Sequence, residues 1–266
     1  MIGSEATRLV RLVPEVSYRA WRVWQRNLDT YLRLWATELW PPLIEPLLFL
    51  IALGYGLGVY VLPIAGQNYL QFIAPGILAQ AVMFSSSFEC LYGSFIRMDY
   101  QKTFDAMIAT PLSIDDVITG EILWGTTRGL ISGIAVLLMV GALGLLPSPL
   151  APLALLVAVL GAFTFAALGM VFTSIAPSIN FFNYAYTLFL APMFLFSGVF
   201  FPISRLPDLA QRLAWFSPLA HIVTPARALV SGQFEAGMFS DLVWLLVLGL
   251  GAYFVALARM RRRLIK

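Results

Sequence analysis

Charge is what this sequence has least of. Only 12% of its 266 residues are Asp, Glu, Lys or Arg, 60% are hydrophobic, and the mean hydropathy is +0.83. Too little polar surface remains to coat a water-soluble globule, so the bilayer is the expected solvent. The single cysteine, Cys90, excludes an intrachain disulfide and a multi-cysteine metal site, and reads as a small apolar packing residue. The single histidine, His221, excludes a zinc or haem site with two imidazoles. Set among Ser217, Pro218 and Thr224, it is expected to shape a loop by hydrogen bonding rather than to sense pH. The only two lysines, Lys102 and Lys266, follow no glycine-rich turn, and no G-x-x-x-x-G-K-[ST] loop exists, so ATP hydrolysis is not expected in this chain. Asp115 and Asp116 lack the second acidic cluster that magnesium and pyrophosphate chemistry requires, and helix capping is the better reading. The first thirty residues carry arginines throughout with no central apolar stretch, so no cleavable leader is expected and the first span serves as the insertion signal.

The missing charges are not spread evenly. No Asp, Glu, Lys, Arg or His occurs from Pro46 to Phe88, from Gly129 to Ser204, or from Leu242 to Ala258, runs of 43, 76 and 17 residues. A helix needs about 20 apolar residues to cross a hydrocarbon core of about 30 Å, so the runs divide into two, three and one spans. Turn residues fall at the required divisions: LPIAGQN at 62–68, PSPLAP at 147–152 and APSIN at 176–180. The predicted spans are 43–61, 69–90, 118–146, 153–175, 181–201 and 240–258, an all-α integral membrane fold. Of the 17 Lys and Arg, 14 lie before the first span, after the last, or around the connection between spans two and three; Arg205, Arg212 and Arg227 are the other three. Basic residues are retained in short cytoplasmic loops, which predicts both ends in the cytoplasm.

Three stretches do not cross. In the N-terminal part (1–42), Tyr18, Trp21, Trp24, Leu28, Leu32 and Trp35 recur every three or four residues between Arg19, Arg22, Arg26, Asp29 and Arg33. This predicts an amphipathic helix in the membrane interface, serving either as an anchor or as a lever toward a partner. The inner loop (91–117) holds a predicted helix over 94–109, with Phe95, Met98, Phe104, Met107 and Ile108 beside Arg97, Asp99, Lys102 and Asp105. Such a mixed face wants a protein partner. Thr110-Pro111 ends it, and Ser113 with Asp116 has capping-box spacing for the next helix. The outer loop (202–239) predicts two short helices on or in the outer leaflet, with Leu206, Leu209, Leu213, Trp215 and Phe216 apolar and Pro218 and Pro225 dividing the pieces. A basic tail (259–266) closes the chain.

Ionisable residues at the edges of the spans are Glu38, Glu45, Glu89, Glu121 and Arg128. A charge at bilayer depth costs about 2.5–3.5 kcal/mol even on the permissive insertion scale, so each should meet protein, water or a counter-charge. Glu45, Glu89, Glu121 and Arg128 therefore read either as a cytoplasmic gate or headgroup site, or as structural ion pairs near the interface, the second being favoured. Small-residue pairs, Gly54 with Gly58 and Gly129 with Gly133, permit close helix contact within one chain or between copies. A secondary transporter would carry charges near mid-bilayer and two related halves, and neither is evident.

Taken together, the segments resemble a known family. Phe88 to Met98 (FECLYGSFIRM), Gln101 to Pro111 (QKTFDAMIATP), Asp115 to Glu121 (DDVITGE), Phe196 to Pro202 (FSGVFFP), Leu206-Pro207, Ser217 to His221 (SPLAH) and Arg261 to Leu264 (RRRL) look like NodJ-like permeases of the type-2 ABC exporter superfamily. The resemblance covers nearly the whole chain from about Tyr18. It implies a homodimer of six-span subunits in a bacterial inner membrane, working with two copies of a separate ATPase. That partner would hold ATP and magnesium, this chain binding no cofactor. By the same likeness, Arg97, Asp99, Lys102, Phe104, Asp105 and Met107 would belong to a coupling helix seated on the ATPase, also touched by the N-terminal helix. Pro202, Leu206, Trp215, Phe216, Pro218 and His221 would form an outer gate with re-entrant helices. The implied cargo is an amphipathic glycolipid, lipo-oligosaccharide or lipid-linked polysaccharide, with a drug or lipid as the alternative.

Overall fold

The computed structural model describes residues 14–38, 40–64, 66–232 and 237–265, and its elements are helices. Six are long and apolar enough to cross a membrane: α2 (Trp35–Leu57), α3 (Tyr69–Tyr100), α5 (Ile114–Ala142), α6 (Ala151–Ile175), α7 (Ile179–Phe196) and α10 (Met238–Leu264). Between them lie α1 (Ala20–Arg33), α4 (Thr103–Ile108), α8 (Asp208–Trp215) and α9 (Ala220–Ser231). The all-helical, six-crossing expectation is met. Among the described residues there is no sheet to satisfy the backbone in lipid, and helices do so within each segment.

The core is built on α3, α5 and α6, which pack against one another, with α10 laid against α6 and α5. Its large buried side chains include Ile73, Ile77, Leu78, Met83, Phe95, Ile118, Ile122 and Phe165. Cys90 is fully buried, its sulfur in the space Gly125 leaves by lacking a side chain, as the packing reading expects. The glycine pairs also serve packing within this chain: Gly129 faces Ala162 and Ser86, and Gly54 faces Leu70. By contrast α2 and α7 are largely exposed, presenting Leu48, Ile51 and Tyr55, and Tyr184, Leu188 and Phe189.

Several boundaries differ from the sequence reading. Helix α3 runs ten residues past the predicted end at 90, because Cys90, Leu91, Ser94, Phe95 and Met98 continue its buried face. The predicted helix over 94–109 is accordingly two pieces. The break falls at Gln101 and Lys102, where Lys102 adopts a left-handed conformation with φ +54°, and α4 follows. The break at Thr110-Pro111 is where expected. So is the start of α5: Ser113 Oγ accepts from Asp116 N (3.0 Å) and Asp116 Oδ2 accepts from Ser113 N (3.1 Å). Pro225 does not divide the outer stretch but sits inside α9. Helix α10 carries Arg259 to Arg263 in its last turns, so these residues do not form an irregular tail.

Helix α1 is where predicted and docks on α5, of the aromatic stripe only through Trp24, whose Nε1 donates to Thr127 Oγ1 at 2.8 Å. Ala20, Val23 and Asn27 are its buried residues, while Tyr18, Trp21, Leu32 and Trp35 stay exposed. The contact depends on Gly120, where an added Cβ would lie 2.5 Å from Val23 Cβ and 2.6 Å from the Ala20 carbonyl oxygen.

Candidate functional site

At the basic end of the bundle, where α1, α3 and α5 meet, one carboxylate lies entirely out of solvent. Glu121 has 0% exposure, one helical turn below the α5 N-terminal region. An isolated charge there would be untenable, so every acceptor position finds a donor. Arg97 of α3 clasps it, with Nε 3.2 Å and 3.0 Å from Oε1 and Oε2 and Nη2 2.5 Å from Oε2. Ser94 Oγ donates to Oε2 at 2.7 Å, and Asn27 Nδ2 of α1 donates to Oε1 at 2.9 Å. The fork of a guanidinium on a carboxylate is among the stronger charge-assisted contacts, and it fixes the two helices in angle as well as distance.

From Arg97 the charges continue as a chain. Its Nη2 donates to Glu89 Oε1 at 2.8 Å; Glu89 Oε2 lies 3.5 Å from Arg128 Nε; Arg128 Nη2 donates to Glu38 Oε2 at 2.7 Å. Arg128 also stands 4.7 Å above the Tyr31 ring. Gly93 makes room for the chain, since a Cβ there would come 2.5 Å from Glu89 Oε1. The α3 backbone widens into π-helical turns over Glu89–Gly93 and Ile96–Tyr100, a distortion that often accompanies function. Three carboxylates and two guanidiniums thus tie α1, α2, α3 and α5 together.

The sequence-predicted residues therefore redistribute. Glu89, Glu121 and Arg128 are brought together as ion pairs, but Glu121 and Arg128 pair with others rather than with each other. Glu45 stays outside the chain, exposed at the rim of a cavity that Glu89 and Arg128 also line. Arg97, grouped by its neighbourhood with the partner-facing residues, turns inward. Asp99, Lys102 and Asp105 do lie at the surface, with Lys102 Nζ 3.7 Å from Asp99. Phe104 and Met107 are buried and seat α4 on the bundle. Asn27 and Ser94 escaped the sequence reading altogether. Only the burial of Glu121 could have called for them, and that depends on which helices meet.

A second polar junction stands beside the first. Asp115 forms an ion pair with Arg261 of α10, with Nε 2.7 Å from Oδ1, and accepts from Glu15 N at 2.8 Å. Asp116 accepts from Ser17 N at 2.6 Å in addition to its capping bonds. Arg263 Nη1 donates to the Thr173 carbonyl at 2.7 Å. The paired aspartates thus hold the two chain ends to the start of α5, and the capping reading covers only part of their work.

At the opposite end, Trp215 and Phe216 are exposed and meet edge to face at 5.0 Å, Pro202 and Leu206 are half-buried, and Pro218 and His221 are buried. His221 Nε2 donates to the Trp215 carbonyl at 2.7 Å, Nδ1 lies 2.7 Å from Asp241 Oδ1, and the ring stacks on Trp244 at 4.2 Å. The expected loop-shaping histidine joins α8, α9 and α10. Arg227, also missed, donates to the Gly198 carbonyl at 2.8 Å with its guanidinium 4.0 Å from the Phe72 ring centre. Among the described residues no cluster of His, Cys, Asp and Glu could hold a metal ion.

Comparison of the sequence with known proteins gives the family. Residues 18–231 match the ABC-2 type transporter family. The chain is 32% identical to nodulation protein J of Sinorhizobium fredii over 97% of its own length and 98% of that protein's, and 34% identical to nodulation protein J of Rhizobium leguminosarum bv. trifolii over 92% and 93%. It is 26% identical to the inner membrane transport permease YadH of Escherichia coli over 77% of this chain and 80% of that one. The six apolar helices and these matches establish that the chain belongs to the ABC-2 type transporter family, as a multi-pass membrane subunit of NodJ-like type.

Proposed function

We propose that this subunit is the permease of an ATP-driven exporter that moves an amphipathic glycolipid, lipo-oligosaccharide or lipid-linked polysaccharide out of the cytoplasm. In this reading the basic end is cytoplasmic, both termini lie inside, and the membrane is a bacterial inner membrane. Two copies of the chain pair through their exposed α2 and α7 faces and work with two ATPase subunits, which bind ATP and magnesium. This chain provides the path and no catalytic group. The family membership supports the ATPase partner, and the relatives named for nodulation support the choice of cargo class. A drug or simple lipid remains the alternative cargo on the same scaffold.

One observation carries the reading. Helix α4 is held by buried Phe104 and Met107 yet shows Asp105, Ala106 and Lys102 outward, and it follows within a few residues the Arg97 that grips Glu121. A push on α4 from a partner is thereby delivered to α3 and α5 through ionic contacts rather than through a slack loop. This placement supports the reading of α4 as the coupling helix.

The test is co-expression with an ABC ATPase subunit from the same genome. The two are expected to co-purify, and Lys102→Glu with Asp105→Lys is expected to abolish nucleotide-driven transport of the lipid-linked saccharide in inverted vesicles while leaving the thermal stability of the purified chain unchanged. Failure to co-purify, or full transport by the doubly reversed variant, would overturn the proposal.

A further inference from the structure

A cavity of about 310 Å³ lies between α2, α3 and α5, lined by Glu45, Gln80, Phe84, Glu89, Arg128 and Ser132 among others. It falls at the small end of the range of ligand pockets. Gln80 is 2% exposed and Ser132 1%, and yet Gln80 Oε1 and Ser132 Oγ have no hydrogen-bond partner, whereas Arg128 Nε is already engaged by Glu89 at 3.5 Å. Elsewhere in this bundle buried hydroxyls are satisfied locally: Ser86, Thr164 and Thr173 all donate to carbonyls. Two unpaired polar groups on residues that line one cavity, in a chain so poor in polar side chains, carry a desolvation cost that something should offset.

We propose that this cavity holds the uncharged sugar head group of an amphipathic molecule. The chemistry of the wall makes the choice. Gln80 Oε1 accepts and the Ser132 hydroxyl does either, a mixture that matches hydroxyl groups, each of which donates and accepts. Two carboxylates, Glu45 and Glu89, against the single guanidinium of Arg128 disfavour a phosphate or carboxylate head. A plain acyl chain would leave both groups unpaired. Phe84 and Phe88, stacked at 5.4 Å, provide flat apolar faces for the C–H side of a pyranose ring. The exposed Glu45 marks the open side, next to the apolar lipid-facing surface of α2, where the tail can remain in the membrane. The assignment rests on the glycolipid reading of the transporter and adds to it the residues that recognise the sugar.

The experiment measures lipid binding to the full chain in nanodiscs by native mass spectrometry, without ATPase or nucleotide. The probes are monoglucosyl diacylglycerol and phosphatidylglycerol with the same acyl chains. The wild type is expected to prefer the glucolipid, and Gln80→Leu with Ser132→Ala to weaken glucolipid binding about tenfold, about 1.4 kcal/mol, with phosphatidylglycerol unaffected. If the double variant does not fold, Ser132→Ala alone, a one-atom deletion, should still weaken the glucolipid selectively. Equal binding by wild type and variants, or tighter binding of phosphatidylglycerol by the wild type, overturns the proposal. Because no ATPase is present, a transporter that fails to export while this selectivity stands refutes the export reading alone. Transport that persists with sugar binding insensitive to Gln80 and Ser132 refutes the site alone.

Discussion

Arg97 and Glu121 face each other across the α3–α5 contact with three nitrogen–oxygen distances of 2.5, 3.0 and 3.2 Å, and among the described residues Arg97 is the cation within ion-pair distance of Glu121. Removing one member of a buried pair leaves the other charged and dry, typically costing 3–5 kcal/mol. Arg97→Met is therefore expected to lower thermal stability by about that much. The double change Arg97→Met with Glu121→Leu should recover most of the loss, since the fully buried carboxylate is gone and Glu89 keeps Arg128 as its partner. Size-exclusion thermostability of the four proteins in detergent checks the cycle; additive losses would contradict it.

The α1–α5 seam makes a separate prediction. Gly120 approaches Ala20 and Val23 so closely that any side chain must displace α1. Gly120→Val should separate α1 from the bundle, breaking the Asn27–Glu121 and Trp24–Thr127 hydrogen bonds of 2.9 and 2.8 Å. Limited proteolysis should then cut within 18–34 at a protease level that leaves the wild type intact. Leu32→Ser, on the exposed side of the same helix, should not change the digestion pattern.

Much of this fold was legible because lipid imposes simple rules. The charge-free runs around Ile73, Val157 and Leu245 had to be helices of spanning length, and the Ser113–Asp116 spacing fixed the start of α5 to the residue. The interior of the site was less legible, because its members come from unrelated parts of the chain: Asn27 lies 94 positions from Glu121, and Arg261 lies 146 from Asp115. No local pattern encodes such a pairing. Arg97 misled for a related reason. Its neighbours Asp99 and Lys102 are surface residues, and only a continuation of α3 past Glu89 turns Arg97 to the opposite face.

At the far end, His221 bonds to two helices at once and stacks on Trp244. His221→Leu leaves Asp241 and the Trp215 carbonyl without this partner, and a lost buried hydrogen bond of this kind costs about 1–3 kcal/mol. Accelerated hydrogen exchange is expected in 208–216 with 94–109 unaffected, as read by deuterium uptake in nanodiscs. Uniform exchange changes across both ends would show that the histidine does not act locally.

The arginines closing α10 look alike in sequence and differ in structure. Arg261 pairs with Asp115, which is 3% exposed, and Arg263 donates to the Thr173 carbonyl, whereas Arg262 is exposed. Surface substitutions usually stay within about 0.5 kcal/mol, while loss of a cation from a buried carboxylate approaches the 3–5 kcal/mol of a broken internal pair. Arg262→Ala should thus leave thermal stability unchanged and Arg261→Ala should lower it clearly. Asp115→Asn combined with Arg261→Ala should lie closer to wild type than the Arg261 single change does, because the uncompensated carboxylate is gone. Equal effects of Arg261→Ala and Arg262→Ala would mean that the run acts only through its total charge, as an undifferentiated basic tail would.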